Sequence, residues 1–363
     1  MRAGLAGPHM REMGEGALIR AVLMFCALLL CSQSVRAEDV SFKGKTIKMV
    51  VGFAAGGGTD AAGRFLAAFL GKHLPGEPTI IVQNIAGADG MTAMNFMTQQ
   101  TNPDGLTITM ASGSQADPLH YRKPQSHFDP TKFEVIGGTG LGGTALIISK
   151  KVEPRLYDKN AEPVVMGSLS GMPRSGMQMT GWGREFLGWN SKWVVGYRGT
   201  NDLLVALERG EIDMTATGSI PITQRLLSGG NFKILAQSGT LRDGKMGGRP
   251  EFKDAPVITE QMKGKIQNPV EAMSFEYWST LSAMDKWLAL PPGTPEPIVT
   301  TYRKAFKAMT EDPEFIARTK DSTEFTPTTA KDVADWLKTL NKITPEAISY
   351  IGVMLSHQGI TAE

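Results

Sequence analysis

The segment Lys48-Met49-Val50-Val51-Gly52-Phe53-Ala54-Ala55-Gly56-Gly57-Gly58-Thr59-Asp60 constrains this chain more than any other. An apolar, β-branched run enters a glycine turn. Ala62, Phe65, Leu66, Phe69 and Leu70 then recur at the spacing of one helix face, with Thr59 as the expected N-cap. The corner leaves helical N–H groups without intrahelical partners at the positive end of a dipole, beside a backbone that glycine lets a ligand approach. A carboxylate or phosphate suits it; a tight turn without a ligand explains the same glycines.

β-Branched runs recur between helical patterns at 46–53, 79–82, 106–111, 134–136, 145–149, 164–166, 193–195 and 232–236. This alternation predicts an α/β protein of mostly parallel sheets flanked by helices, with ligands at the carboxyl ends of the strands. A second corner stands at Val164-Val165-Met166-Gly167-Ser168-Leu169-Ser170-Gly171-Met172-Pro173-Arg174, where Pro173 suits a first helical position. Two such corners point to two lobes facing each other across a cleft. The loops Ala111-Ser112-Gly113-Ser114 and Tyr197-Arg198-Gly199-Thr200 are expected to reach it, or to be ordinary strand-end loops.

The compartment follows from the first residues. Residues 1–16 are polar and loosely basic, 17–31 are apolar except for Arg20, and Val35-Arg36-Ala37 is a small-residue cleavage pattern, so residues 1–37 read as a signal peptide. The apolar stretch is shorter than the roughly 20 residues a spanning helix needs. Leu30 does not suit a lipidation site at Cys31. Cleavage removes both cysteines, Cys26 and Cys31, and with them disulfides, thiolate metal sites and a cysteine nucleophile. It also removes Arg2, Arg11, Arg20 and Arg36 with Glu12 and Glu15, leaving 34 basic and 34 acidic residues, a balance that argues against nucleic acid as a partner. Taking 37 from 363 residues leaves 326, more than one core usually serves.

Catalytic patterns fail on inspection. Gly138-Thr-Gly-Leu-Gly-Gly143 has the dinucleotide spacing, but a strand pattern follows where a helix should open. Gly167-Ser-Leu-Ser-Gly171 puts Leu169 where a serine nucleophile belongs. His73, His120, His127 and His357 are scattered, without metal-ligand spacing, and read as surface or packing histidines. No metal or cofactor is expected.

Several residues carry two readings. Asp60 either complements the helix dipole or meets a ligand, and Asp213 either braces loops or orients a pocket group. Arg174 and Arg198 are ligand-facing cations or solvated surface arginines. Trp182, Trp189 and Trp193 serve lobe packing or offer an aromatic contact to a ligand or partner.

Phe53-Ala-Ala-Gly-Gly-Gly-Thr-Asp60, Val82-Gln-Asn-Ile-Ala-Gly-Ala-Asp-Gly90 and Asn102-Pro-Asp-Gly-Leu-Thr107 together resemble the opening motifs of the Bug family, the extracytoplasmic solute receptors of tripartite tricarboxylate transporters. Gly196-Tyr-Arg-Gly-Thr200, the run Leu203-Leu-Val-Ala-Leu-Glu-Arg-Gly-Glu-Ile-Asp213 and Leu290-Pro-Pro-Gly-Thr-Pro-Glu-Pro-Ile298 are similar to its later blocks. Ala55 stands where the family usually has proline, and Ile85-Ala86-Gly87 where it has Arg-Pro-Gly.

The resemblance implies a two-lobed type II periplasmic binding protein clamshell, or Venus flytrap. Residues 38–141 and 275–363 would form lobe 1 and residues 142–274 lobe 2. It implies a periplasmic, monomeric receptor that is not an enzyme, binds a small carboxylated solute and delivers it to the integral membrane permease subunits of a tripartite transporter. A clamshell sensor reporting solute to another partner is the alternative. The expected ligand-binding residues are Phe53, Gly57, Gly58, Thr59, Asp60, Ser112, Ser114, Ser168, Ser170, Arg174, Tyr197, Arg198, Thr200 and Asp213.

Overall fold

The computed structural model describes residues 40–169, 173, 175–197, 200–242, 245–252, 255–320 and 325–360. The expected signal peptide, residues 1–37, lies outside the described residues, as do Ser170, Arg174 and Arg198. Among the described residues no helix is long and apolar enough to cross a membrane.

The first half-sheet follows directly from the opening pattern. β1 (Thr46–Val51), α1 (Gly58–His73), β2 (Thr79–Asn84), α2 (Met91–Gln99) and β3 (Thr107–Ser112) set three strands in parallel, with β1 in the middle. Two short helices, α3 (Gly113–Ala116) and α4 (Pro118–Tyr121), lead to β4 (Glu134–Leu141). Residues 142–144 then carry the chain into a second sheet. It comprises β5 (Ala145–Ser149), β6 (Val164–Leu169), α5 (Gln178–Phe186), β7 (Ser191–Tyr197), α6 (Thr200–Arg209), β8 (Met214–Thr217), α7 (Ile220–Ser228) and β9 (Phe232–Gln237). A hairpin, β10 (Thr240–Arg242) with β11 (Lys245–Gly247), and a short α8 (Ile258–Gln261) follow.

The return runs through α9 (Pro269–Ser282), which spans Ser274, to β12 (Met284–Leu290) in the first sheet. α10 (Glu296–Thr310), α11 (Pro313–Thr319), β13 (Pro327–Thr328), α12 (Ala330–Asn341) and α13 (Pro345–His357) complete the described chain. Strand order is β13-β4-β12-β3-β1-β2 in one sheet and β7-β6-β8-β5-β9 in the other. Both sheets are mixed. β12 lies antiparallel between β3 and β4, and β5 antiparallel between β8 and β9, while β1 to β4 share one direction and β6 to β9 another.

β4 runs five residues past the 134–136 pattern because its glycines are packing residues. A Cβ on Gly137 would overlap the Phe306 ring of α10, and one on Gly138 would stand 2.8 Å from Val333 of α12, so the helices lie tight on the strand. The glycine run that matched a dinucleotide spacing is thus largely strand, and β5 follows it.

One apolar core runs from the first sheet (Val50, Ala111, Trp287) and Met94 of α2 through Trp278 of α9 and Trp182 of α5 to the second sheet (Met166, Leu146). Trp182, Trp189 and Trp193 belong to this packing. Trp182 is fully buried among aromatic rings, Trp189 covers Gly183 of α5, and the Trp193 indole N–H donates to the Gln358 side-chain oxygen at 3.2 Å.

Candidate functional site

Direction and register decide which loops can meet. β1, β2, β3 and β4 end at one edge of the first sheet, and the reversed β12 begins there, with Met284 opposite Leu141 and Lys286 opposite Ser112. In the second sheet β6, β8 and β9 end where the reversed β5 begins, with Ala145 opposite both Thr217 and Gln237. Because only residues 142–144 separate the end of β4 from the start of β5, the carboxyl-end edges of both sheets come together at this crossing. Open α/β sheets bind ligands at such edges.

The crossing is held by backbone and one buried cation. The Gly143 N–H donates to the Ser282 carbonyl at 3.0 Å, the Thr144 N–H to the Ser238 hydroxyl at 2.9 Å, and the Thr240 hydroxyl to the Ala283 carbonyl at 3.2 Å. Arg249, 2% exposed, donates through Nη1 to the carbonyls of Gly143 (3.0 Å) and Gly218 (3.2 Å) and stands 3.5 Å from Glu251. In the sequence Arg249 is marked only by its place after Gly247-Gly248.

The first corner is built from inside. Helix α1 begins at Gly58, with Gly57 as an N-cap that lends no side chain. Thr59 is therefore not the cap: it occupies the second helical position, and Asp60, in the first helical turn, ties the glycine turn before the helix to β2 instead. The Asp60 carboxylate accepts from the Gly56 N–H at 2.8 Å, the Arg64 Nε–H at 3.0 Å and the Asn84 amide at 2.9 Å, while Asn84 also donates to the Phe53 carbonyl at 2.9 Å. Asp60 is 2% exposed, so this carboxylate is turned into the corner and its charge is met by Arg64 at 3.0 Å. Of the three glycines only Gly56 has a left-handed backbone, φ +84°. A Cβ on Gly58 would touch nothing within 4 Å, and Ala54 to Gly58 are exposed. Folding needs glycine at Gly56, whereas the bare backbone at Gly58 faces open space, and a Cβ on Gly57 would meet only the Ala54 carbonyl oxygen, at 3.5 Å.

The Arg64 hydrogen bond, then the Gly56 N–H, lead the interactions that hold the Asp60 carboxyl at about 2, below the ordinary 3.8, with Asn84 adding to them and burial opposing. A carboxyl lowered on folding contributes stability that is present above the unfolded value and lost as the pH falls through the folded one. The stability gap between wild type and Asp60→Asn is therefore expected to be constant above about pH 4 and to close between about pH 4 and pH 2. Denaturant unfolding across that range measures it. A gap independent of pH would remove Asp60 as the ionised lock.

The loops after β2 and β3 interlock with this corner. A Cβ on Gly52 would stand 2.8 Å from Gly90 Cα and 2.9 Å from Gln115 Nε2, so three loops share one close contact. The Gln115 side chain accepts from the Ser112 N–H at 2.7 Å, Ser112 and Ser114 share a hydroxyl hydrogen bond of 2.9 Å, and the Ser114 hydroxyl donates to the Asp89 carbonyl at 3.0 Å. Ala88 and Asp89 are held at φ +47° and +53°, with the Asp89 carboxylate 3.3 Å from His120 Nε2. Phe53, Gly57, Gly58, Thr59, Ser112 and Ser114 thus lie on one continuous sheet edge.

The candidates on the second sheet divide. Tyr197 ends β7 in register with Leu169, at the carboxyl-end edge, and Thr200 opens α6. Ser168 is wholly buried, its hydroxyl directed at the Met177 sulfur at 3.3 Å, so it packs against that side chain. Pro173 does not open the helix as its position suggested: α5 begins at Gln178, whose side-chain amide donates back to the Pro173 carbonyl at 2.7 Å. Asp213 stands before β8, at the opposite end of the strands. Its carboxylate accepts from the Val165 N–H at 2.9 Å and lies 3.6 Å from Arg155, which is the bracing arrangement.

No family model matches the chain. Solved structures place the fold in the class of two-lobed periplasmic binding proteins. A TctC solute binding protein from Polaromonas aligns with TM-score 0.60 and 19% identity over 83% of this chain and all of its own. The periplasmic binding protein BugD aligns at 0.51 and 23%, over 88% and 99%. R. palustris Rpa4515, solved with adipate, aligns at 0.53 and 19%, over 87% and 98%. These likenesses establish the clamshell fold. By sequence, the chain is 38% identical over 109 residues to the UPF0065 protein of the gbd 5′ region of Cupriavidus necator, a match spanning 29% of this chain and 31% of that relative.

Proposed function

We infer that this protein is a periplasmic solute receptor of the Bug type. It captures a small carboxylated solute between a lobe of residues 38–141 and 275–363 and a lobe of residues 142–274. It then passes the solute to the permease subunits of a tripartite tricarboxylate-type transporter. The observation carrying this reading is the convergence of both carboxyl-end edges at residues 142–144, with the exposed glycine backbone at Gly57 and Gly58 on one of them. Free N–H groups at the start of the 16-residue α1 suit a carboxylate. The solved relative that holds adipate supports the solute class, and the signal-like residues 1–37 support export. Serines, threonines and backbone amides at this edge supply hydrogen-bond donors, which fit binding without turnover.

A thermal-shift and calorimetric screen of mono- and dicarboxylates, adipate included, tests this. A ligand at a hundred times its Kd is expected to add about 2.7 kcal/mol of stability and to be recovered chemically unchanged. Gly58→Val is expected to keep the ligand-free melting temperature and weaken binding about ten-fold or more, the size of one lost charge-assisted hydrogen bond. Conversion of the solute would sink the receptor reading. Full affinity in folded Gly58→Val would reduce the corner to a turn.

A further inference from the structure

β12 brings to this sheet edge a charge that no sequence motif marks. Lys286 is 6% exposed although it lies two residues from the start of the strand. It stands opposite Ser112 of β3 and Thr139 of β4, and paired residues in antiparallel strands project from the same face, so its stem runs beside Ser112. An ammonium offers three donors and is costly to withdraw from water unless an acceptor meets it. Among the described residues that acceptor is the carboxylate of the neighbouring Asp285.

Neighbours along a strand leave opposite faces. Contact between them therefore requires the lysine stem to bend back toward the first residues of β12, the end shared with Leu141 and Ser112. The backbone there adjoins the candidate loop, since a Cβ on Gly113 would stand 3.6 Å from the Met284 carbonyl and 3.9 Å from that of Asp285. The two partners differ in burial. The lysine side chain is 7% exposed, whereas the aspartate side chain is 49% exposed and can return to water at small cost.

We propose that Lys286 supplies the positive charge for the solute carboxylate, and that Asp285 occupies the same ammonium until the solute displaces it. Binding is then an exchange of one carboxylate for another, and it selects a carboxylate over its uncharged amide. The inference rests on the solute-receptor reading above. Its logic is that of an internal competitor: removing Asp285 frees the cation, and removing Lys286 leaves backbone amides and hydroxyls alone.

Calorimetry with the best carboxylate of the screen and its amide tests the exchange, using wild type, Lys286→Met and Asp285→Asn. Lys286→Met is expected to lose about ten-fold or more in carboxylate affinity while binding the amide as wild type does. Asp285→Asn is expected to bind the carboxylate several-fold more tightly. Equal carboxylate affinity in wild type and Lys286→Met overturns the inference, as does unchanged or weaker binding in Asp285→Asn. That second variant, altered at a half-exposed side chain, decides the matter alone if Lys286→Met does not fold. Wild type that binds no carboxylate brings down the receptor reading and this inference with it. Wild type that binds, with variants that do not differ from it, brings down only the exchange.

Discussion

Trp182→Ala is expected to cost about 3–5 kcal/mol of folding stability, the range for truncating a buried tryptophan. Trp182 has no exposed surface. Its ring stands 5.1 Å from that of Phe275 in an edge-to-face pair, 5.9 Å from Phe186, 6.1 Å from Trp278 and 6.2 Å from Tyr350. These rings come from α5, α9 and α13, so the substitution removes the centre of the core that joins the two sheets. For a chain of this size, with an unfolding entropy of about 2.1 cal/mol/K per residue, the loss corresponds to a fall in Tm of roughly 4–7 °C. The indole N–H makes no hydrogen bond among the described residues, so what holds Trp182 is ring packing. Trp182→Phe is accordingly expected to recover more than half of the loss, and a calorimetric scan of the three proteins compares them. A Trp182→Ala protein melting within a degree of wild type would show that the sheets are joined elsewhere.

Gln358 reinforces the same joint. Its side-chain amide donates to the Gly181 carbonyl of α5 at 2.9 Å, its side-chain oxygen accepts from Trp193, and its own carbonyl accepts from Arg184 at 3.4 Å. The segment after α13 thereby clasps elements of the second sheet, although α13 follows helices packed on the first.

What could be read from the sequence is what is local. The first corner, the strand pattern at 145–149 and the helix after Thr200 show in the chain because apolar period and glycine placement act over a few residues. What could not be read is what depends on distant partners. β12 joins β3 and β4 from far along the chain, and Lys286 interrupts its apolar run, so nothing nearby marks it as a strand between two others. Thr59 has the residue type of a cap, but Asn84 and Arg64 converge on Asp60, and that convergence exists only once β2 lies beside β1. Asp213 follows the same rule: its chemistry fits a pocket, and only the register of β6 with β8 shows it at the other end of the strands. The glycines of β4 look like a loop until Phe306 and Val333 are set against them.

Gly142→Val is expected to destabilise the protein toward or beyond the upper end of the about 1–3 kcal/mol usual for overpacking. Gly142 is not in the left-handed region, so backbone strain is not the reason. A Cβ there would overlap the carbonyl of Ala283 and the amide nitrogen of Met284, which are backbone atoms that no rotamer change can move aside. Both sides are also fixed: the Gly143 N–H is bonded to Ser282, and Met284 begins β12 opposite Leu141. Relief therefore requires the two crossing segments to separate, which alters how the carboxyl-end edges of the sheets meet. Gly58→Val supplies the contrast, because the same substitution on the same sheet edge enters open space. Thermal melts without ligand should separate them, with Gly142→Val well below wild type and Gly58→Val close to it, while carboxylate titration should find binding weakened in both. If Gly142→Val melts with wild type, the close approach of residues 142–144 to residues 282–284 is not what holds the crossing.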